Sequence, residues 1–323
     1  MNNLPAIQGF AWRHIQPTDG PLLTQFEQAC ALVDGATNLK RPEAWESLAA
    51  EENIYSRSLI SVNDQGKIAI IGWFDIDERV EQILAFLEGR VHPEYRGRGF
   101  GTLLLDWLET NAASAVKAET RQRPFIYRIM FYDRSPDASM LFDKRGYTLL
   151  YVEQEMQRDL SIPLPKAHHQ ELSFETWTIE NKSDFYAVYQ AAFQTRTKTL
   201  MSAESWHHHF ANPTQDDFQP VFSMLARKSG DPVAFVVVHS EKSSNYSGIK
   251  SAWITQTGVD SNFRRAGIGS ALLSETMQQL QNAGYDWVKL SVNTDNPGAI
   301  SLYNHLGFSS SKRLTMYHQA LKK

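Results

Sequence analysis

Two short runs in this chain have the residue types needed to hold a diphosphate. They are Arg96-Gly97-Arg98-Gly99-Phe100-Gly101, followed by Thr102, and Arg264-Arg265-Ala266-Gly267-Ile268-Gly269, followed by Ser270. Each comes after an apolar stretch ending in valine (Val91, Val259) and opens a leucine-rich helical run. Such a turn aims several backbone N–H groups at one point, and the helix start adds partial positive charge. Glycines let backbone approach a ligand where a Cβ would collide. Arginines can pair with phosphate oxygens through the guanidinium fork. Neither run is a P-loop, because no Gly-Lys-Ser/Thr follows, and neither fits the dinucleotide fingerprint with its downstream acid.

The elements around these runs repeat as well. The glycine turns lie 168 positions apart, counted from Arg96 to Arg264. Ser135-Pro136-Asp137-Ala138 matches Asn296-Pro297-Gly298-Ala299, and Gly146-Tyr147 matches Gly307-Phe308, both at an offset of 161. A period this long predicts two tandem domains rather than a solenoid. The expected division is residues 1–160, a linker at 161–171 marked by Pro163 and Pro165, and residues 172–323. Each half opens with a strand (near Phe10 to Ile15, and Leu172 to Thr178) and a helical stretch (Leu22 to Val33, and Phe185 to Phe193). Strand pairs follow at Leu59 to Val62 with Ile68 to Phe74, and at Val221 to Ala226 with Pro232 to His239. Next come the strands Gln82 to Val91 and Trp253 to Val259, then the glycine turns. In the second half, a helix carrying Leu273, Met277 and Leu280 stops at Gly284, and Trp287 to Val292 alternates as a half-buried strand. The last helix has Asn296 as N-cap, Pro297 at its first position and Gly307 closing it. Strands joined mostly by turns predict an α/β (α+β) fold: a mixed, mostly antiparallel sheet flanked by helices.

Composition narrows the partners. The chain has 323 residues, 42% hydrophobic and 21% charged, with 32 basic and 36 acidic residues for a net charge of −4. No Lys/Arg-rich block stands out, which argues against a nucleic-acid or membrane surface. Cys30 is the only cysteine, so neither an intrachain disulfide nor a thiolate metal cluster can form. The start, Met1 to Pro5, lacks the regions of a signal peptide, and no run reaches a membrane-spanning length. A cytoplasmic protein is expected. His207-His208-His209 cannot converge on one metal, because adjacent helical residues point about 100° apart. Their helix could still border an acceptor pocket. Trp206 and Trp253 read as core residues, and His168-His169 as linker.

Arg-x-x-Gly-x-Gly between a strand and a helix, then Asn-x-x-Ala-x-x-x-Tyr-x-x-x-Gly-Phe, resembles the GCN5-related N-acetyltransferases. The second half carries both motifs, with Asn296, Ala299, Tyr303, Gly307 and Phe308 in the later one. The first half carries Arg96 to Gly101 and a weaker Ser135, Ala138, Phe142, Gly146 and Tyr147. The tandem layout is similar to that of the mycothiol synthase group. The resemblance implies that a bulge splays the fourth strand from the fifth and admits the pantetheine arm of acetyl-CoA. Thr257 and Val259 (Val91 in the first half) would then line the arm. The amides of Arg265, Gly267, Gly269 and Ser270, in the turn that includes Arg264, Ala266 and Ile268, would hold the pyrophosphate. Asn296 would touch the pantetheine amide region. The acceptor amine would attack the thioester directly, with backbone N–H groups near the bulge stabilising the oxyanion.

By the same resemblance Tyr303 is the general acid for the departing thiolate. Phe142 holds that place in the first half and has no proton to give. A catalytic C-terminal domain follows, with an N-terminal domain that can still bind acetyl-CoA or serve as scaffold. The general base is not identified: Gln256 lies where a strand carboxylate could act, but an amide cannot do this. Its counterpart is Glu88, while Asp260 and Glu204 read as surface acids. The expected function is acetyl-CoA-dependent N-acetylation of a primary amine of a small metabolite. The alternatives are a protein N-terminal or lysine acetyltransferase, and a non-catalytic acyl-CoA-binding module, which would not need Tyr303.

Overall fold

The structure is a computed structural model that describes residues 7–34, 45, 56–78, 82–116, 123–132, 136–165, 169–195, 200–241 and 249–321. It divides into two compact units, Met1–Val152 with Leu314–Lys323, and Glu153–Arg313. In chain order the first unit holds β1 (Phe10–Arg13), α1 (Gly20–Asp34), β2 (Ser58–Asn63), β3 (Ile68–Glu78) and β4 (Ile83–Val91). It continues with α2 (Phe100–Ala115), β5 (Phe125–Tyr132), α3 (Pro136–Lys144) and the start of β6 (Thr148–Asp159). The second unit takes the rest of β6, β7 (Leu172–Thr176), α4 (Lys182–Phe193), α5 (Ala203–Phe210), β8 (Met224–Lys228), β9 (Asp231–Ser240) and β10 (Ser251–Val259). It ends with α6 (Ile268–Asn282), β11 (Trp287–Asn293), α7 (Pro297–His305) and the start of β12 (Ser309–Ala320).

The strand order in the first unit is β1-β2-β3-β4-β5-β12, and in the second β6-β11-β10-β9-β8-β7. The pairs β4–β5 and β10–β11 are parallel, and β1 to β4 and β7 to β10 form antiparallel meanders. The outermost assignments differ from a division at 160 and 172. Leu314–Ala320 of β12 pair with β5, in the first unit, and Glu153–Asp159 of β6 pair with β11, in the second. An edge strand carries unpaired N–H and C=O groups that need a partner. Each unit's sheet finds that partner in a strand from the other half of the sequence, where no local pattern points. β8 also begins later than Val221, because Phe222 and Ser223 donate their amides back to the Gln219 carbonyl and complete a turn first.

Side-chain alternation makes two layers of helix on each sheet. In the second unit Ala252, Ile254, Val236 and Val238 pack with Ile268, Leu272 and Met277 of α6 and Tyr303 of α7. Phe235 and Val237, facing the other way, pack with Phe185 of α4 and Trp206 of α5. Phe185, Trp206 and Phe235 are fully buried; removing a side chain of Phe size from water contributes about 2–3 kcal/mol. The first unit repeats the scheme, with Leu104, Trp107 and Phe142 on one face and Leu23, Phe26 and Trp45 on the other.

Candidate functional site

Each glycine turn is entered through one turn of 3-10 helix with a side-chain cap. Asp260 Oδ1 accepts from the Asn262 amide at 2.9 Å, and His92 Nδ1 accepts from the Glu94 amide at 3.3 Å. Left-handed residues then recur at every second position: Arg265 (φ 63°) and Gly267 (φ 79°) in the second unit, Gly97 (φ 73°) and Gly99 (φ 83°) in the first. This alternation turns successive amides to one side as a concave donor surface. The first amides of α6 and α2 are orphan donors that no helical carbonyl can reach. A Cβ placed at Gly267, Gly97 or Gly99 meets nothing within 4 Å. The space over both turns is therefore open, and the donor set fits a diphosphate.

The leading arginines face elsewhere. Arg96 makes two 2.7 Å bonds to Asp34 at the end of α1 and donates through Nε to the Val91 carbonyl at 3.1 Å. Arg264 donates to the Val259 carbonyl and to the Ala192 carbonyl near the end of α4. Both guanidinium groups brace the turn against the preceding strand and a helix C-terminus, which corrects the assignment of either to phosphate oxygens. Arg98, 5.6 Å from the Tyr95 ring centroid, and Arg265 stay exposed beside the turns, as do Thr102 and Ala266. Phe100 and Ile268 bury their side chains in the core, so only their amides face the turn. Gly269 lies under Val259 Cγ2, 3.3 Å from where its Cβ would sit, Gly101 is equally close to Leu141, and Ser270 is half-buried.

Beyond the turns the parallel strands separate. β10 and β11 pair from Ser251/Trp287 to Ile254/Leu290 and stop, although both strands continue. β4 and β5 stop pairing at Leu87/Ile129 in the same way. The difference lies on the other side of the strand. The β10–β9 register slips between Ile254 and Gln256, so Thr255 is a bulge, whereas β4–β3 runs unbroken from Val91/Ile70 to Ile83/Glu78. The bulge expected from the resemblance thus exists in the second unit. Thr257 donates its hydroxyl to the Phe235 carbonyl at 2.9 Å, leaving its backbone to line the opening.

Asn296 caps α7, its Oδ1 accepting from the Ala299 amide at 3.3 Å. Tyr303 is seven residues on, two helical turns away and so on the same face. It is buried among Ile268, Val292 and Phe308, with its ring centroid 5.8 Å from that of Phe308. Phe142 in the first unit sits in an aromatic cluster, 5.4 Å from Phe131 and 5.5 Å from Tyr317. Ser135, expected as the counterpart of Asn296, lies outside the described residues, as does His168.

On the α5 side of the second sheet, Thr255 opens into a cleft of roughly 590 Å³. His209 and Phe210 of α5, Asp216 and Asp217 of the following loop, His239 of β9 and Trp253 of β10 line it. Trp253, expected in the core, is a cleft wall, because the strand alternation turns it to the same side as its cross-strand partner His239. Trp206 is core as expected. The three consecutive histidines diverge. His207 packs on Trp206, where burial pushes its pKa down; His208 is exposed; His209 bonds the Ser205 carbonyl at 2.7 Å and borders the cleft. Glu241, at the cleft edge, is paired with Lys289 at 2.7 Å.

The acids weighed as bases are placed elsewhere. Asp260 is consumed by its cap, Glu204 is exposed in the first turn of α5, and Gln256 Oε1 is buried without a hydrogen-bond partner among the described residues. Sequence reasoning missed His239, which is 8% exposed and whose Nδ1 lies 2.9 Å from Thr255 Oγ1. Only the cross-strand register brings these two residues together, and no motif spans them.

Comparison with known proteins follows the same division. The acetyltransferase (GNAT) family matches residues 26–134 and again 174–308. A mycothiol acetyltransferase of Nocardiopsis dassonvillei is 25% identical over 257 residues, 70% of this chain and 72% of that one. Another, of Streptomyces avermitilis, is 25% identical over 89% of this chain and 87% of its own. The crystal structure of a GCN5-related N-acetyltransferase from Sphaerobacter thermophilus shares the fold, with a TM-score of 0.79 at 23% identity over 99% of this chain and 98% of that one.

Proposed function

The chain belongs to the acetyltransferase (GNAT) family, whose donor is an acyl-CoA, and from that premise we propose that it transfers acetyl from acetyl-CoA to a primary amine of a small cytoplasmic metabolite. The chemistry is assigned to the second unit. The observation that carries this is the bulge at Thr255: the opened strands have the glycine turn and α7 on one side and the cleft on the other. The donor's diphosphate takes the amides of Arg265, Gly267, Gly269 and Ser270, with Arg264 holding the turn in shape. Its arm lies along the backbone of Thr257 and Val259 toward Asn296, and Tyr303 supplies the proton to the leaving sulfur. The amine approaches from the cleft, and backbone N–H groups at the bulge receive the oxyanion.

Two features support a small acceptor. The cleft volume falls within the range of small-molecule sites, and the mycothiol acetyltransferases span most of the chain. Asp216 and Asp217 give its mouth the charge that attracts an ammonium group. The first unit keeps an open donor turn but neither the bulge nor the phenol, and is assigned to donor binding or scaffolding. The test is turnover of labelled acetyl-CoA against primary-amine metabolites and against peptides with free N-termini or lysines. Acetylated metabolite is the expected product. Acetylation of peptides alone overturns the small-acceptor assignment, and no transfer to either class overturns the enzymatic one.

A further inference from the structure

An amine acceptor arrives at neutral pH as an ammonium ion and must shed a proton before its nitrogen can attack. The strand position beside the bulge is Gln256, whose amide cannot accept that proton. Resting on the N-acetyltransferase reading above, we propose that Thr255 and His239 supply the missing base as a two-member relay, Thr255 touching the acceptor and His239 acting through it as the positioning residue and proton store. Both line the cleft. Thr255 is the bulged residue itself, so its side chain leaves the sheet where β10 parts from β11.

The contact between the two side chains is of hydrogen-bond length, and the relay takes it in one direction. A threonine hydroxyl has one hydrogen to give. Thr255 Oγ1 has the His239 Nδ1 at 2.9 Å and the Val237 carbonyl at 3.5 Å. The relay uses the ring tautomer whose Nδ1 carries the lone pair, in which the hydroxyl hydrogen goes to the imidazole at 2.9 Å and not to the carbonyl at 3.5 Å. His239 is held for this by the strand pairing opposite Trp253 and by Phe218, whose ring centroid is 5.5 Å away. In the first unit the unbroken register leaves no counterpart for Thr255, and Asp75, opposite Phe86 and paired with Arg57, stands in place of His239. A relay is absent where the phenol is absent.

The step balances. One ammonium proton passes to Thr255 Oγ1 as the threonine's own proton passes to His239 Nδ1, and the imidazolium later releases it to solvent through the cleft. The freed lone pair forms the N–C bond to the thioester carbon. As the tetrahedral centre collapses the C–S bond breaks, its electron pair leaves on sulfur, and Tyr303 protonates the thiolate. The second nitrogen-bound proton, lost as the amide forms, restores Tyr303.

The relay works only while His239 is neutral, so kcat/KM falls with pH once the imidazole takes up a proton. Charged and titratable groups around it are Asp216 and Asp217 on the loop, His209 on α5, and Glu241 with its partner Lys289 on β11. The experiment measures kcat/KM against pH for the full chain, with acetyl-CoA and a primary-amine panel (cadaverine, tyramine, glucosamine, cysteamine). It compares wild type with Thr255→Val, Thr255→Ser and His239→Gln, and follows acetyl-CoA affinity in parallel. Thr255→Val and His239→Gln should each lower kcat/KM at pH 7 by about 100-fold, with acetyl-CoA affinity kept and Thr255→Ser near wild type. Their acid limb should move from the wild-type position to the pKa of the free amine. For an alkyl amine near 10 the deficit then grows about tenfold per pH unit toward acid, until His239 itself protonates. Variants that share the wild-type limb and stay within threefold of its rate overturn the relay alone, as does Thr255→Ser failing as badly as Thr255→Val. A wild type that acetylates no amine overturns the relay together with the function it rests on.

Discussion

The two units share one plan and differ in four places that bear on chemistry. Both have a capped 3-10 turn, a left-handed glycine leading a helix, and a parallel strand pair that opens at its end. Tyr303 in the second unit is matched by Phe142 and His239 by Asp75, Thr255 has no counterpart, and the β10 bulge is matched by an unbroken register. The first unit has neither the phenol nor the bulged hydroxyl, and the residue in the place of His239 is an acid paired with Arg57. A diphosphate seat needs only backbone, so it survives side-chain drift; a proton path needs particular side chains and does not. The first unit even matches Thr257 with Gly89, which is cross-strand from Gly72. Leu104 of α2 fills the space over that pair, within 2.7 Å of where either Cβ would stand. There the missing side chains let a helix settle onto the sheet.

Substitutions can break this comparison, and the largest effect belongs to Gly267. A valine there is strained by the left-handed φ of 79° and intrudes on the donor surface. Gly267→Val should lower transfer by at least about 100-fold, mainly through weaker acetyl-CoA binding measured by calorimetry. Next comes Tyr303→Phe, which converts the second unit to the first unit's residue. It should lower kcat by about 100-fold with acetyl-CoA affinity unchanged, and a rate within threefold of wild type would remove the phenol from the mechanism. Gly99→Val places the same strain in the first unit, costing about 1–3 kcal/mol by thermal denaturation. Transfer should stay within threefold of wild type; a large loss would show that the first seat contributes to turnover.

A smaller effect separates the caps. His92 caps with an imidazole lone pair where Asp260 caps with a carboxylate, and burial holds the His92 pKa below the ordinary 6.5. The unfolded chain therefore binds the proton more readily than the folded one, and stability falls as pH drops from about 6.5 toward the folded pKa. His92→Asn keeps an acceptor and removes the titration, so its Tm should fall less between pH 7.5 and 5.5 than that of wild type. The smallest effect is a reporter: burial pushes Cys30 up to about 11, so thiol labelling at pH 8 should be slow in wild type. Gly99→Val should quicken it and Gly267→Val should not.

Much of this could be read from residues alone where the signal is local. The glycine turns, the Asn296 cap, the α6 stop near Gly284 and the hairpin strands each rest on short-range backbone preferences, and they appear where their residues place them. Tyr303 and Phe142 could be compared because both sit at a fixed helical spacing from a glycine. Arg96 and Arg264 misled, because a guanidinium near a phosphate turn satisfies either a ligand or a helix end, and spacing does not distinguish them. Trp253 misled because a lone aromatic residue on a strand reads as core until its face is known.

By itself the sequence determined a duplicated module, its two amide-rich turns, and which copy kept a phenol, because each is written in contiguous residues whose backbone preferences act over a few positions. Tertiary structure alone decided the exchanged terminal strands, the bracing role of the arginines and the Thr255–His239 contact. Those depend on register between strands far apart in the chain, and a one-residue slip such as the one at Thr255 sends a side chain to the other face of the sheet.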